Sequence, residues 1–319
     1  MEHRRLGKTG LSVSRACLGT MTFGLQCDEP TSFAILDAAA EAGVTFLDTA
    51  DVYPFRAAFD EMGRSEEIVG KWLRGKRDQF ILTTKCGHAT GPRPWETGGS
   101  RKHILDSIER SLVRLGTDYV DLYLLHRPDP ETPIDETLDA LDTVVRSGKA
   151  RYVGVSNFLA YQMARALGRS EAKGVTAPTS IQIPYNLLSR EFESEMQPFC
   201  AEEGLGVTIF NPIAGGLLSG KHQQASPAGR FLSAPGYRAR YWHDRAFALV
   251  ETLRPLATSA GLPLAAMAVA WVAANPVVTS VILGATRPEH ITSNIKGLEK
   301  PLEGELKARL DELSSGVIR

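Results

Sequence analysis

Four residues of this 319-residue chain carry side chains that together could reduce a carbonyl: Asp48, Tyr53, Lys85 and His126. Each stands at, or a few residues past, the end of a short apolar run. A free phenol has a pKa of about 10 and is a sluggish proton donor at neutral pH. A neighbouring ammonium stabilises the phenolate, so Lys85 is expected to lower the pKa of Tyr53, each unit being worth about 1.4 kcal/mol. Asp48 would keep Lys85 charged and aimed. His126 could donate to the carbonyl oxygen as negative charge builds there. The set holds a proton donor but no hydride donor, which implies a nicotinamide cofactor.

Taken singly, these residues have plainer readings. Asp48 could cap a turn, Tyr53 could be an aromatic with a wet hydroxyl, and His126 could be a hydrogen-bonded structural histidine. Lys85 is harder to explain that way, because a lysine ending an apolar strand needs a counter-charge or a shifted pKa. Asp48, at the end of the neighbouring strand, supplies the charge. The same pairing argues against a Schiff-base aldolase on Lys85, which needs an uncharged amine. Residues 215–221, GGLLSGK, fit half of a P-loop, but His222 follows where a Ser or Thr must hold magnesium. Ser156 lacks a GxSxG setting. His88, His103, His222 and His243 lack ligand spacing, so no metal is expected.

Bringing these groups to one rim requires a repeated strand–helix fold. Eight β-rich runs are legible at 17–20, 44–49, 80–85, 120–126, 152–156, 180–185, 206–210 and 280–284, most of them continuously apolar as in parallel strands covered on both faces. Helical patterns lie between them, with starts expected at Thr31, Ser65, Ser100 and Thr132-Pro133 and stops at Gly43 and Gly116. Eight units predict a single (β/α)8 TIM barrel over residues 1–319, with catalysis at the C-terminal strand ends. A doubly wound open sheet is the alternative that strand counting leaves open. Residues 1–16 read as a hairpin over one end, and 211–243 as a long binding loop. Two helices are expected at about 244–260 and 263–274, and a last amphipathic one at about 303–315.

Composition is that of a globular protein, 43% hydrophobic and 23% charged, with 36 basic residues against 37 acidic ones. This balance gives no reason to expect nucleic acid as a partner. Four scattered cysteines, Cys17, Cys27, Cys86 and Cys200, without a CxxC pair read as buried or free thiols of a reducing compartment. The charged start MEHRRLGKTG is no signal peptide. The apolar stretch 262–286 is cut by Asn275-Pro276 below the about 20 residues a spanning helix needs. A cytoplasmic protein with no membrane partner is expected.

The segments GKTGLSVSRACLGTMTFG, AGVTFLDTADVY, GRSEEIVGKWL, TTKCG, LGTDYVDLYLLHRPD, GKARYVGVSNF and ILGATRPEHITSN resemble the aldo-keto reductase superfamily nearly end to end. The likeness is to the bacterial branch that also resembles potassium-channel β-subunits. The resemblance implies a (β/α)8 barrel that binds NADPH without a Rossmann domain, and no complete GxGxxG follows any strand here. By position it makes Asp48, Tyr53, Lys85 and His126 catalytic. It places Ser156, Asn157 and Gln182 at the nicotinamide carboxamide, and Phe210, with Asn211 and Pro212 beside it, where a ring stacks on the nicotinamide. Gly19, Thr20 and Met21 match a first-strand cofactor contact, and Gly216, Leu217, Gly220 and Lys221 belong to a loop following the pyrophosphate. Gly284, Thr286, Arg287, His290 and Asn294 fall at the adenosine and 2′-phosphate.

One departure concerns that phosphate. Many members surround it with a lysine, a serine and an arginine, where this chain aligns Gly284, Ala285 and His290, leaving Arg287 as the obvious cation. NADPH remains the expected cofactor, with NADH use possible, since one arginine can clamp a phosphate in two places. Phe23, Tyr53, Phe55, His88, Trp95 and His126, with the 222–243 loop, are the candidate substrate contacts. An open site for bulky aldehydes or ketones is expected. A cofactor-sensing subunit whose main task is binding a protein partner is the alternative from another class.

Overall fold

The computed structural model describes residues 1–55, 57–227 and 229–316. A two-stranded antiparallel hairpin, β1 (His3–Arg5) and β2 (Ser12–Ser14), opens the chain. Eight parallel strands follow: β3 (Ala16–Gly19), β4 (Phe46–Asp48), β5 (Ile81–Cys86), β6 (Val120–Leu125), β7 (Ala150–Ser156), β8 (Ser180–Pro184), β9 (Gly206–Phe210) and β10 (Ser280–Gly284). They pair in chain order, and β10 pairs back onto β3, so the sheet is a closed barrel and not an open doubly wound one.

Single helices fill the early crossovers: α1 (Glu29–Glu41), α2 (Arg64–Trp72), α3 (Arg101–Leu115), α4 (Ile134–Arg146), α5 (Ala160–Lys173) and α6 (Met196–Glu203). Between β9 and β10 the chain is longer, with short helices α7 (Arg230–Ser233) and α8 (Pro235–Tyr241) and then α9 (Asp244–Ser259) and α10 (Leu264–Ala273). Two more, α11 (Pro288–Glu299) and α12 (Gly304–Ser314), follow β10. Ser100 caps α3 by accepting from the His103 amide, and Gly116 ends that helix with a left-handed φ of 62°. Two helix starts lie earlier than expected. Asp28, not Thr31, caps α1 and accepts from the Thr31 amide, while α2 begins after Gly63 and leaves Ser65 free for other hydrogen bonds.

Apolar side chains form two layers. The outer one, between strands and helices, includes Leu18, Leu47, Leu82, Val153 and Ile181 with helix residues such as Ile35, Ile104 and Leu141. The inner one fills the barrel with Cys17, Phe46, Leu122, Leu124 and Ile282, and the hairpin adds Leu6 and Val13 to it. The hairpin therefore plugs the N-terminal end. Lys8 N–H donates to Gly204 O at 2.8 Å, and Gly7 approaches Gly206 so closely that a Cβ would lie 2.4 Å from its nitrogen. The site must open at the other end.

The four cysteines are buried and unpaired. Among the described residues no single helix is long and apolar enough to cross a membrane. The pair α9–α10 passes by length and composition, but it is bent by 90° and every residue of α10 except Ala265 is buried.

Candidate active site

Strand pleating sends alternate side chains to opposite faces. In β4, Leu47 joins the outer layer, whereas Phe46 and Asp48 turn into the barrel. In β5, Thr84 turns outward and donates to Glu66 Oε1 on α2 at 2.5 Å, leaving Lys85 to the interior. Lys85 is fully buried, and its Nζ donates to Asp48 Oδ2 at 2.6 Å, to Thr49 O at 2.8 Å and to Tyr53 Oη at 3.4 Å. Asp48 Oδ1 accepts from Gln182 Nε2 at 2.8 Å, a bond that crosses the barrel from β8. The loop after β4 is braced by the amides of Gly63 and Ser65, which both donate to Tyr53 O.

Burial alone would push the Lys85 ammonium down, but Asp48 and Tyr53 outweigh it and hold its pKa above the usual lysine value. Lys85 is thus an ammonium at neutral pH. The expected lowering of the Tyr53 pKa is not found. Burial pushes the phenol up to about 12, and the Asp48 charge cancels part of what Lys85 contributes. Tyr53 keeps its proton over the whole physiological range, as a proton donor must.

Tyr53 and His126 meet edge to face at 5.8 Å, His126 and His88 at 4.6 Å, and His88 and Phe55 at 5.7 Å. This ladder runs from the Tyr53 phenol to the mouth. Burial, reinforced by Lys85, His88 and Arg127, holds His126 well below the ordinary histidine pKa, so its imidazole is neutral. Its Nδ1 is buried without a partner among the described residues. We therefore assign the ring proton to Nε2, the nitrogen left to face the cavity. Burial, then Arg127 and Lys85, lowers His88 to about 4, so it is neutral as well.

A cavity of about 410 Å³ begins at these groups and runs across the strand ends to β10. Its wall includes the expected Gly19, Met21, Asp48, Tyr53, Phe55, His88, His126, Ser156, Asn157, Gln182, Phe210, Asn211, Pro212, Gly216, Lys221, Gly284, Thr286 and His290. Other expected residues are elsewhere. Phe23 is fully buried in the outer layer and does not line the cavity, and Leu217 is likewise packed into that layer. Thr20 is buried, its hydroxyl donating to Asp48 O, and Asn294 is buried behind the wall. Trp95 is half exposed and Arg287 is exposed beyond the lining, while Gly220 packs against Arg254. Lys85 acts on the cavity through Tyr53.

The structure adds residues that the strand ends did not reveal. Tyr237 from α8 lines the cavity with Gln26, Ile213, Gly215, Ile282 and Ala285. Ser65 Oγ lies 2.8 Å from Thr20 Oγ1 and 3.2 Å from Thr49 Oγ1, bracing the two strand ends. Asn186 Nδ2 and Asn211 Nδ2 both donate to the Tyr241 hydroxyl, fastening the long loop to β8 and β9. Asn157 and Asn211 hold left-handed φ values of 61° and 63°, and Asn211 accepts from the Gly215 amide at 2.6 Å.

The lining suits an elongated cofactor with a flat ring and phosphates. Phe210 offers a half-buried ring near Gln182, Ser156 and Asn157. Nothing lies within 4 Å of where a Cβ at Gly284 would stand, so the wall there is bare backbone. The groups at the closed end could protonate a carbonyl oxygen, and those toward β10 could meet an anion.

A profile of the Aldo/keto reductase family matches residues 15–315. The chain is 37% identical to an uncharacterized oxidoreductase, YrpG, of Bacillus subtilis, over 99% of this chain and 97% of that protein. It is 38% identical to a probable voltage-gated potassium channel subunit beta of Oryza sativa, over 94% and 92% respectively. With L-glyceraldehyde 3-phosphate reductase of Escherichia coli it shares 34% identity over 93% and 88%. A closed eight-stranded barrel with this lining and a likeness spanning nearly the whole chain place it: the protein belongs to the aldo/keto reductase family of NAD(P)H-dependent oxidoreductases.

Proposed function

We propose that the protein reduces an aldehyde or ketone to the alcohol with NADPH, Tyr53 acting as the general acid. The observation that carries this reading is the fully buried Lys85, held by Asp48 at 2.6 Å and reaching Tyr53 Oη at 3.4 Å beside an open cavity. When bound, the nicotinamide supplies the hydride. Tyr53 gives its proton to the carbonyl oxygen, and Lys85 stabilises the phenolate left behind. The Nε2–H of neutral His126 donates to the same oxygen and polarises it. Gln182 fixes Asp48, and Asp48 fixes Lys85. Ser156, Asn157, Gln182 and Phe210 hold the nicotinamide end, while Lys221, Thr286, Arg287 and His290 favour the phosphorylated end of NADPH. Phe55, His88 and Tyr237 shape the substrate side, which admits bulky carbonyl compounds.

A Schiff base on Lys85 is disfavoured, because the amine is held as an ammonium by its buried ion pair. The channel-subunit relative supports a second reading, in which cofactor binding chiefly informs a protein partner. One experiment separates them. Oxidation of NADPH, then NADH, is followed by nicotinamide absorbance against 4-nitrobenzaldehyde, ketones and sugar aldehydes, with Tyr53→Phe alongside. Turnover in the wild type that is lost in the variant supports the reductase. Tight cofactor binding without turnover on any carbonyl favours the sensing role, and retained turnover in Tyr53→Phe refutes the role given to Tyr53.

A further inference from the structure

At the β10 end of the cavity Lys221 and His290 stand in the wall, and Arg287 lies exposed just beyond it. Lys221 comes from the long loop after β9, Arg287 from the turn that starts α11, and His290 from the first turn of α11. Neither the Lys221 nor the Arg287 side chain has a hydrogen-bond or ion-pair partner among the described residues. Both are near enough to act on the His290 charge, as is Glu289 in the opposite sense. His290 Nδ1 accepts from the Thr286 amide at 3.3 Å, which puts the single ring proton on Nε2. A second proton must therefore go on Nδ1, against an N–H already pointing there. The Thr286 hydroxyl, 3.4 Å away, is the acceptor to which a charged ring can turn.

On the reading that this cavity holds a nicotinamide dinucleotide, we propose that His290 is a proton-linked selector for the phosphorylated form. It is neutral in the free protein, takes a proton from solvent when the 2′-phosphate dianion settles among Lys221, Arg287 and His290, and stays neutral when the unphosphorylated dinucleotide binds. Burial first, then Lys221 and Arg287, keeps the free ring below its ordinary pKa against the pull of Glu289. Two negative charges beside it reverse that balance. An arginine in its place would grip the phosphate at every pH. A histidine makes the preference for NADPH decline as pH rises, by up to about tenfold per unit between the free and bound pKa values.

Calorimetric titration of the full-length protein with NADP⁺ and with NAD⁺ near pH 7.2, in two buffers of different ionisation enthalpy, counts the protons exchanged. The free 2′-phosphate loses its second proton with a pKa of about 6 and is almost entirely a dianion near pH 7.2, and binding to cations can only release what remains, so net uptake has to come from the protein. NADP⁺ is expected to take up more than about a third of a proton, and NAD⁺ close to none. His290→Gln should abolish the uptake and weaken NADP⁺ alone. His290→Arg should restore NADP⁺ affinity without uptake. NADP⁺ binding with no uptake, or uptake that survives in His290→Gln, overturns the inference while leaving the cofactor reading intact. Failure of both dinucleotides to bind overturns both.

Discussion

Replacing Asp48 with Asn keeps the side-chain shape and removes one charge, which isolates what the carboxylate contributes. Asp48 accepts from Lys85 at 2.6 Å and from Gln182 at 2.8 Å, and Lys85 has no exposure to water. The amide can accept from one donor, while its NH₂ confronts the other. At neutral pH the variant has two options. Lys85 can stay charged without a counter-charge, at about 3–5 kcal/mol. It can instead lose its proton, which from an ordinary lysine pKa near 10.4 costs roughly 4.6 kcal/mol at pH 7. The two limits agree, so urea unfolding followed by circular dichroism should show a loss of about 3–5 kcal/mol. The Lys85 pKa of the folded variant then lies below that of the unfolded chain, and the unfolded state binds more protons. Stability of the variant relative to wild type should therefore rise by up to about 1.4 kcal/mol per pH unit toward pH 10. Asp48→Asn with Lys85→Met removes the stranded charge and should recover much of the stability, with carbonyl reduction still absent. A single variant within about 1 kcal/mol of wild type at pH 7, or parallel pH profiles, would refute the buried-pair reasoning.

Three other outcomes follow from the site and its surroundings. Because Tyr53 is pushed up to about 12, reduction at saturating cofactor should be flat from pH 6 to about 10, while alcohol oxidation, which needs the phenolate, should rise about tenfold per unit; stopped-flow rates in both directions check this, and a steep loss of reduction near pH 8 contradicts it. Arg287→Ala should weaken NADPH about 10- to 100-fold and NADH by less than about threefold in fluorescence titrations, since only the former carries the 2′-phosphate. Asp51, two residues before Tyr53, is buried with neither carboxylate oxygen partnered among the described residues, and burial, then Glu66, raises it to about 8. The folded state retains that proton above the unfolded pKa of about 4, so stability falls by about 1.4 kcal/mol per unit as pH climbs toward 8. Asp51→Asn should remove that slope and stabilise the protein at pH 8, as chemical denaturation at several pH values will show.

The barrel strands are readable because their burial on both faces leaves continuous apolar runs, and Asp48, Lys85 and His126 interrupt those runs where they end. Helix starts were less legible. Asp28 and Thr31 are equally good caps by composition, and the choice depends on where the backbone leaves β3. Phe23 lies only four residues past the end of β3, but distance along the chain does not say which way a ring turns, and it packs into the outer layer. The Tyr53 pKa moved opposite to expectation for a related reason. The Lys85 charge can be foreseen from the residue type, whereas the desolvation that outweighs it depends on burial. Tyr237 and Tyr241 were legible only as part of the 222–243 binding loop and Asn186 gave no signal, because their part in the site depends on how the long loop folds back across β8 and β9.

The bond between Gln182 and Asp48 joins residues separated by 134 positions. During synthesis, Asp48 and Lys85 leave the ribosome long before Gln182, and no autonomous fragment of the early chain can contain the finished site. Gln182 faces inward only if β8 sits in register between β7 and β9, since a slip of one residue would turn it toward the helices. Turnover thus reads out strand register on the far side of the barrel. A chain nicked in a loop and reassembled from two pieces, or rejoined with new ends, should regain activity only to the extent that the whole sheet has closed correctly.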